Sequence, residues 1–124
     1  MAYEVLRTKL GTLKAAADLS AKQYHAVKVS AAGAVNLAGL GEDAVGIIQN
    51  KPILGEAVEL AIETDVTKMV AGGIVGAGTK VAVDANGKAK VAAAGQYIIG
   101  TALEATGAAD ELLTLLLKSN GLAV

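Results

Sequence analysis

Apolar and polar positions alternate over short stretches bounded by turn residues, the pattern of half-buried strands. Val27-Lys28-Val29 and Val81-Ala82-Val83 alternate, and each runs into a turn ending in glycine, Ser30-Ala31-Ala32-Gly33 and Asp84-Ala85-Asn86-Gly87. Asn86-Gly87 is the stronger signal, because both residues tolerate the positive φ of a tight hairpin. Equivalent short runs follow at Val35 to Leu37 and Ala89 to Val91, then glycine-broken strands at Ala44 to Ile48 and Ile98 to Ala102. A glycine inside a strand marks a bend or a close backbone approach. Val58 to Ile62 and Leu112 to Leu116 close the series. Propensity alone also allows helical turns over Glu56 to Glu63 and Asp110 to Lys118, but the spacing of turns favours strands. The segment around Lys22 and Tyr24 reads as a loop or a brief helical turn.

The paired runs reflect a duplication. A shift of 54 residues brings residues 10–63 onto 64–117 without a gap, matching Lys14 to Lys68, Ala17 to Ala71, Val27 to Val81, Gly33 to Gly87, Gly41 to Gly95 and Gly46 to Gly100. The expected fold is all-β: a small barrel or sandwich of two similar units in one domain, residues 10–124, preceded by a short N-terminal arm, residues 1–9. The two units are expected to superpose about an approximate twofold axis, with Gly46 and Gly100 at matching bends. Gly72 to Gly78 is expected to be a flexible connection between halves.

Two groups of residues stand out on this register. Glu59, Ala61 and Glu63 fall opposite Leu113, Leu115 and Leu117, so one copy has a polar outer face where the other is leucine. Three leucines left in water form an unfavourable patch, so Leu113, Leu115 and Leu117 are expected to pack on another subunit or another segment of the chain. The arm lies outside the repeat but carries Tyr3, Val5, Leu6, Arg7 and Lys9, too apolar for a solvating tail and suited to ordering on a partner as an added strand.

Composition narrows the chemistry. The chain has 124 residues, 53% of them apolar, with 35 Leu, Ile and Val, enough for one core. There is no Phe, Trp or Cys, which removes thiolate chemistry and cysteine-ligated metals and lowers the expectation of aromatic-walled ligand or nucleic-acid sites. Uncharged runs reach only 13 residues, short of the roughly 20 of a membrane helix. Basic residues are scattered singly, so no nucleic-acid footprint is expected. Charge is uneven: residues 1–28 carry +3 and residues 42–65 carry −5.

Candidate motifs fail on spacing. Gly73 to Lys80 has phosphate-loop glycines, but Thr79 precedes Lys80 where the loop needs Lys first. Asp84 to Lys88 opens like a calcium loop, yet its sixth and twelfth positions are Ala89 and Gly95. His25 has no second histidine for a triad or a metal cluster, and Glu56, Glu59 and Glu63 read as a solvated face. No catalytic, cofactor or metal site is expected.

One resemblance remains. Ala17-Asp18-Leu19-Ser20 with Tyr24 and Val27, Val45-Gly46-Ile47 with Gly55-Glu56, and Val66 to Gly73 leading through Gly78 to Asp84-Ala85-Asn86-Gly87-Lys88 resemble the head decoration, or capsid cement, proteins of tailed phages. The resemblance runs from about Ala17 to Leu117. It implies a non-enzymatic structural protein without cofactor, a homotrimer bound to the major capsid protein on the outer surface of the virion head, where it stiffens the lattice. Another phage structural role, in head completion or the tail, and a small ligand-binding barrel are the alternatives.

Overall fold

The computed structural model describes Ala2, Lys9 and Leu10, and residues 13–124. Its strands are β1 (Lys9–Leu10), β2 (Ala26–Val29), β3 (Val35–Leu37), β4 (Gly46–Ile48), β5 (Leu60–Ala61), β6 (Val66–Val70), β7 (Lys80–Val83), β8 (Ala89–Val91), β9 (Gly100–Ala102) and β10 (Leu112–Leu117), and no helix occurs among the described residues. They form two five-stranded sheets, β1-β5-β4-β2-β3 and β6-β10-β9-β7-β8, antiparallel throughout. The arrangement is sandwich-like and neither sheet closes into a barrel. A single parallel bridge curls each sheet, Ala15 to Val35 in the first and Ala71 to Ala89 in the second. The segments expected as strand or helix, 56–63 and 110–118, hold β5 and β10.

The sheets have the same strand order, so the halves are copies of one unit. The backbone repeats down to its unusual residues. Tyr24 (φ 65°) accepts the conformation of Gly78 (φ 78°), and their amides donate to Ile48 and Ala102 respectively. Asp110 (φ 70°) stands where the first half has Gly55 (φ 83°), and their amides donate to Ala71 and Ala15. Asp tolerates the left-handed region better than most side chains, whereas Tyr is held there by its surroundings.

Gly46 and Gly100 open β4 and β9 for the same reason. A Cβ on Gly46 would collide with the carbonyl oxygen of Ala61, and one on Gly100 with that of Leu116. Close passage of a neighbouring strand, not backbone freedom, requires glycine at both places.

The register departs from the uniform shift of 54 at both ends. The bridge from Lys14 to Ala57 corresponds to the pairing of Val70 with Leu112, so Lys14 matches Val70, not Lys68, and Ala15, not Ala17, matches Ala71. At the other end the turn Ile53-Leu54-Gly55 is answered by Gly107-Ala108-Ala109-Asp110, one residue longer. Glu56 caps the amide of Ile53 as Glu111 caps that of Gly107. β5 and β10 are thereby displaced by one residue: Ile48 pairs with Leu60, but its counterpart Ala102 pairs with Leu115.

The segment from Gly72 to Gly78 is not a flexible connection. It lies within the second half, where Val75 is fully buried and bridges Thr106, as Leu19 in the first half binds Pro52. The true link is residues 62–65. There buried Asp65 accepts the amide of Ile62, and Thr64 and Asp65 exchange backbone hydrogen bonds with Leu117.

The halves do not meet about a twofold axis. Ala26 donates to Gly87, Gly41 donates to Val83 and accepts from Tyr97, and Val70 donates to Tyr24. A twofold would return each bond, yet none of the reciprocal bonds forms; Gly95, the counterpart of Gly41, donates to Ala123. The contact is head-to-tail.

Candidate functional site

Two clusters show how the sheets are buried. Ala15, Leu19, Val27, Val35, Ile48, Val58 and Leu60 form the interior of the first half. Their counterparts, Ala71, Val75, Val81, Ala89, Ala102, Leu113 and Leu115, lie in the second cluster. That cluster also takes in Ala26, Ala38, Ile47 and Ala61 from the opposite face of the first sheet. The first sheet is therefore covered on both faces, whereas the outer face of the second is covered only in part, at Ala82 and Thr114. Where the first half has Ala26, Ala38, Ile47 and Ala61, the second has exposed Lys80 and half-buried Ala92, Thr101 and Leu116, with the Lys80 ammonium 3.2 Å from the Thr101 hydroxyl.

Leu113, Leu115 and Leu117 belong to this interior. The one-residue displacement of β10 makes them the counterparts of Val58, Leu60 and Ile62, not of Glu59, Ala61 and Glu63. A one-residue slip exchanges the faces of a strand, and here it turns an apparent leucine patch into core. The partner of these leucines is their own chain, and no subunit is needed to cover them.

Of the expected arm, Lys9 is the first residue of β1 and pairs with Ala61, while Tyr3, Val5, Leu6 and Arg7 lie outside the described residues. β1 stands beside β5 as β6 stands beside β10.

One end of the first half carries partly exposed apolar side chains. Val83, Ile99 and Leu117 are buried in the second half, whereas their counterparts Val29, Val45 and Ile62 are half-buried or exposed, Val29 at 46%. The difference is the cover. The loop Ala38-Gly39-Leu40-Gly41 of the first half sits at the end of β7, its Gly41 amide 2.9 Å from the Val83 carbonyl oxygen, and nothing comparable covers Val29 among the described residues. Sequence patterning gave no signal for this surface, because the same apolar residue types occupy both copies.

Charged groups organise the turns and the seam between halves. The Lys28 ammonium lies 2.8 Å from both Glu42 oxygens, and Glu42 also accepts the Gly39 amide. Both interactions, the Lys28 hydrogen bond first, hold the Glu42 carboxyl below its usual range. Lys88 and Asp110 pair at 2.6 Å, which raises the one and lowers the other. Lys68 stands 5.7 Å from the Tyr24 ring centroid, a cation–π contact across the seam. His25 is buried there, its Nδ1 3.1 Å from the Gln23 carbonyl.

The remaining sequence candidates are engaged in local structure. Asp84 accepts the amides of Asn86 and Lys88, bracing the hairpin turn that resembled a calcium loop. Lys80 begins β7, so no helix follows the glycines of 72–78 to hold phosphate. Glu56 caps Ile53, and Glu63 accepts the amide and hydroxyl of Ser119, so these carboxylates do not converge. Among the described residues no three acidic or histidine side chains are grouped to hold a metal ion.

The described residues enclose no pocket, and what they offer is surface. No curated protein matches the sequence. The crystal structure of the head fiber gp8.5 N base in bacteriophage phi29 matches with a TM-score of 0.71 at 15% identity, over 94% of this chain and 100% of that one, which establishes a shared fold. The family model for phage cement proteins matches residues 8–118, so the chain belongs to the phage cement protein family and is a structural, decorating component of the phage head.

Proposed function

We propose that this protein decorates the outer surface of the head, binding the major capsid protein as a homotrimer and reinforcing the lattice without catalysis or cofactor. The observation that carries the reading is the family match over nearly all of the two-unit domain, residues 8–118. The architecture suits that role, because short strands, tight turns and small side chains pack two curled sheets into a body whose recognisable features are contact surfaces. A cement protein acts by adding contacts repeated across a lattice, so each contact need supply little on its own.

The N-terminal residues Tyr3, Val5, Leu6, Arg7 and Lys9 are the proposed capsid contact. Lys9 begins β1, where it pairs with Ala61, and the other four precede it in the sequence. Tyr3, Val5 and Leu6 would bury apolar surface and Arg7 would meet acidic groups on the capsid. Purified protein mixed with heads lacking it should co-sediment to a saturating ratio, and deletion of residues 2–8 should lower occupancy while the domain stays folded. Undiminished occupancy by the truncated protein removes the arm from the reading.

A further inference from the structure

The head-to-tail contact between the halves has two equivalent surfaces that, among the described residues, do not take part in it. We propose that they join successive copies of this chain by repeating the intrachain contact. One surface is the open end of the first half, Val29, Val45 and Ile62, equivalent to the end of the second half that the 38–41 loop covers. The other is the second-half loop equivalent to 38–41, Ala92-Ala93-Ala94-Gly95.

The second loop is built as the first is. Gly39 donates to the Glu42 side chain and Ala93 to that of Gln96, and each side chain also binds a lysine, though from non-equivalent strands, Lys28 of β2 and Lys90 of β8. The amides of Glu42 and Gln96 close the same turns onto the carbonyls of Gly39 and Ala93. Its small side chains are exposed at Ala93 and Ala94. In the repeated contact the Gly95 amide of one copy meets the Val29 carbonyl of the next, as Gly41 meets Val83 within the chain.

The C-terminus holds that place in a single molecule. Gly95 donates to Ala123, Ala123 donates to Gln96, Ile98 donates to Gly121, and Tyr97 and Leu122 face each other in an antiparallel bridge. The Ala123 carbonyl thus takes at Gly95 the position that Val83 takes at Gly41. Docking of a second copy displaces this ribbon from Gly95, so the ribbon sets the strength of association. The contact is more polar than its intrachain template, because Lys80 and Thr101 replace Ala26 and Ile47, and it is correspondingly weaker. A heterologous contact of this kind closes into a ring or continues as a chain of subunits.

The test is sedimentation equilibrium on the full chain, on a chain ending at Gly121, and on the variants Val29→Asp and Ala92→Asp, Ala92 being the counterpart of Ala38, which is 1% exposed in the intrachain contact. Truncation should tighten self-association several-fold, and Val29→Asp in the truncated chain should abolish it. In the full chain each single variant should be monomeric, whereas an equimolar mixture should form heterodimers and nothing larger, since one intact pair of surfaces remains. Circular dichroism should show native sheet content for both variants, whose sites are at least partly solvent-accessible. The proposal is overturned if full-length and truncated proteins are both monomeric, if truncation leaves association unchanged, or if Val29→Asp and Ala92→Asp associate as the parent does. Recovery of the parent's full assembly in the mixture overturns it as well.

Discussion

Val29 and Val83 end equivalent strands in equivalent halves, yet Val83 is fully buried and Val29 is 46% exposed. The strands are alike; the neighbours differ. This asymmetry predicts opposite tolerance to charge. Val83→Asp should destabilise the domain by about 3 kcal/mol or more, because the carboxylate loses water without gaining a partner. Val29→Asp should cost about 1 kcal/mol at most, mainly through strand preference. Chemical denaturation of the two variants separates them, and equal losses would show that the end of the first half is closed.

The paired strand glycines should be intolerant for a steric reason. Neither Gly46 nor Gly100 has a positive φ, but a Cβ at either meets a backbone carbonyl that cannot move without spreading the sheet. Gly46→Ala and Gly100→Ala should each lower stability by about 1–3 kcal/mol, the cost of overpacking. Thermal melts that match the parent would contradict the close passage of β4 against β5 and of β9 against β10.

The leucines of β10 divide by face. Leu115 is fully buried, so Leu115→Ala should cost about 2–5 kcal/mol through lost burial and the cavity left behind. Leu112 is exposed, so Leu112→Ala should change stability by about 0.5 kcal/mol or less. Urea titration of both variants checks the register of the strand, since a shift by one residue would reverse the order.

His25 gives the fold a dependence on pH. Burial pushes its pKa below the ordinary 6.5, and Lys22 and Lys88 act in the same direction against the Gln23 carbonyl. The folded state therefore favours the neutral ring. That contribution is complete above the ordinary value and is lost as pH falls through the depressed one. The melting temperature should drop between pH 7.5 and pH 5, and His25→Gln should reduce the drop. The Lys88–Asp110 pair does not change over this interval, because Asp110 is held below its ordinary value of 3.8. An identical pH dependence in the variant would mean that the imidazole titrates freely in the folded protein.

Much of this fold is legible in the sequence because its strands are short and its turns are marked. Alternation at Val27 to Val29 and Val81 to Val83, with Gly33 and Gly87 closing the turns, fixes β2, β3, β7 and β8. The glycine breaks at Gly46 and Gly100 place β4 and β9. The register of β10 is hidden in the longer turn Gly107 to Asp110, where an Ala- and Gly-rich segment absorbs one residue without a visible gap. With a side-chain period of two, that residue reverses which leucines face the core. The docking of the halves is equally invisible, because it depends on which copy covers the other. Its trace is the contrast of Ala26 and Ile47 with Lys80 and Thr101, which acquires meaning only when the sheets are stacked.

The most direct test of the decorating role is an image reconstruction of heads from the phage that carries this protein, with and without it. The account predicts added density on the outer surface at regular lattice positions, fitted by the two-sheet domain with the start of β1 turned toward the capsid. Density confined to the tail or the head interior, or none that the domain fits, would contradict it.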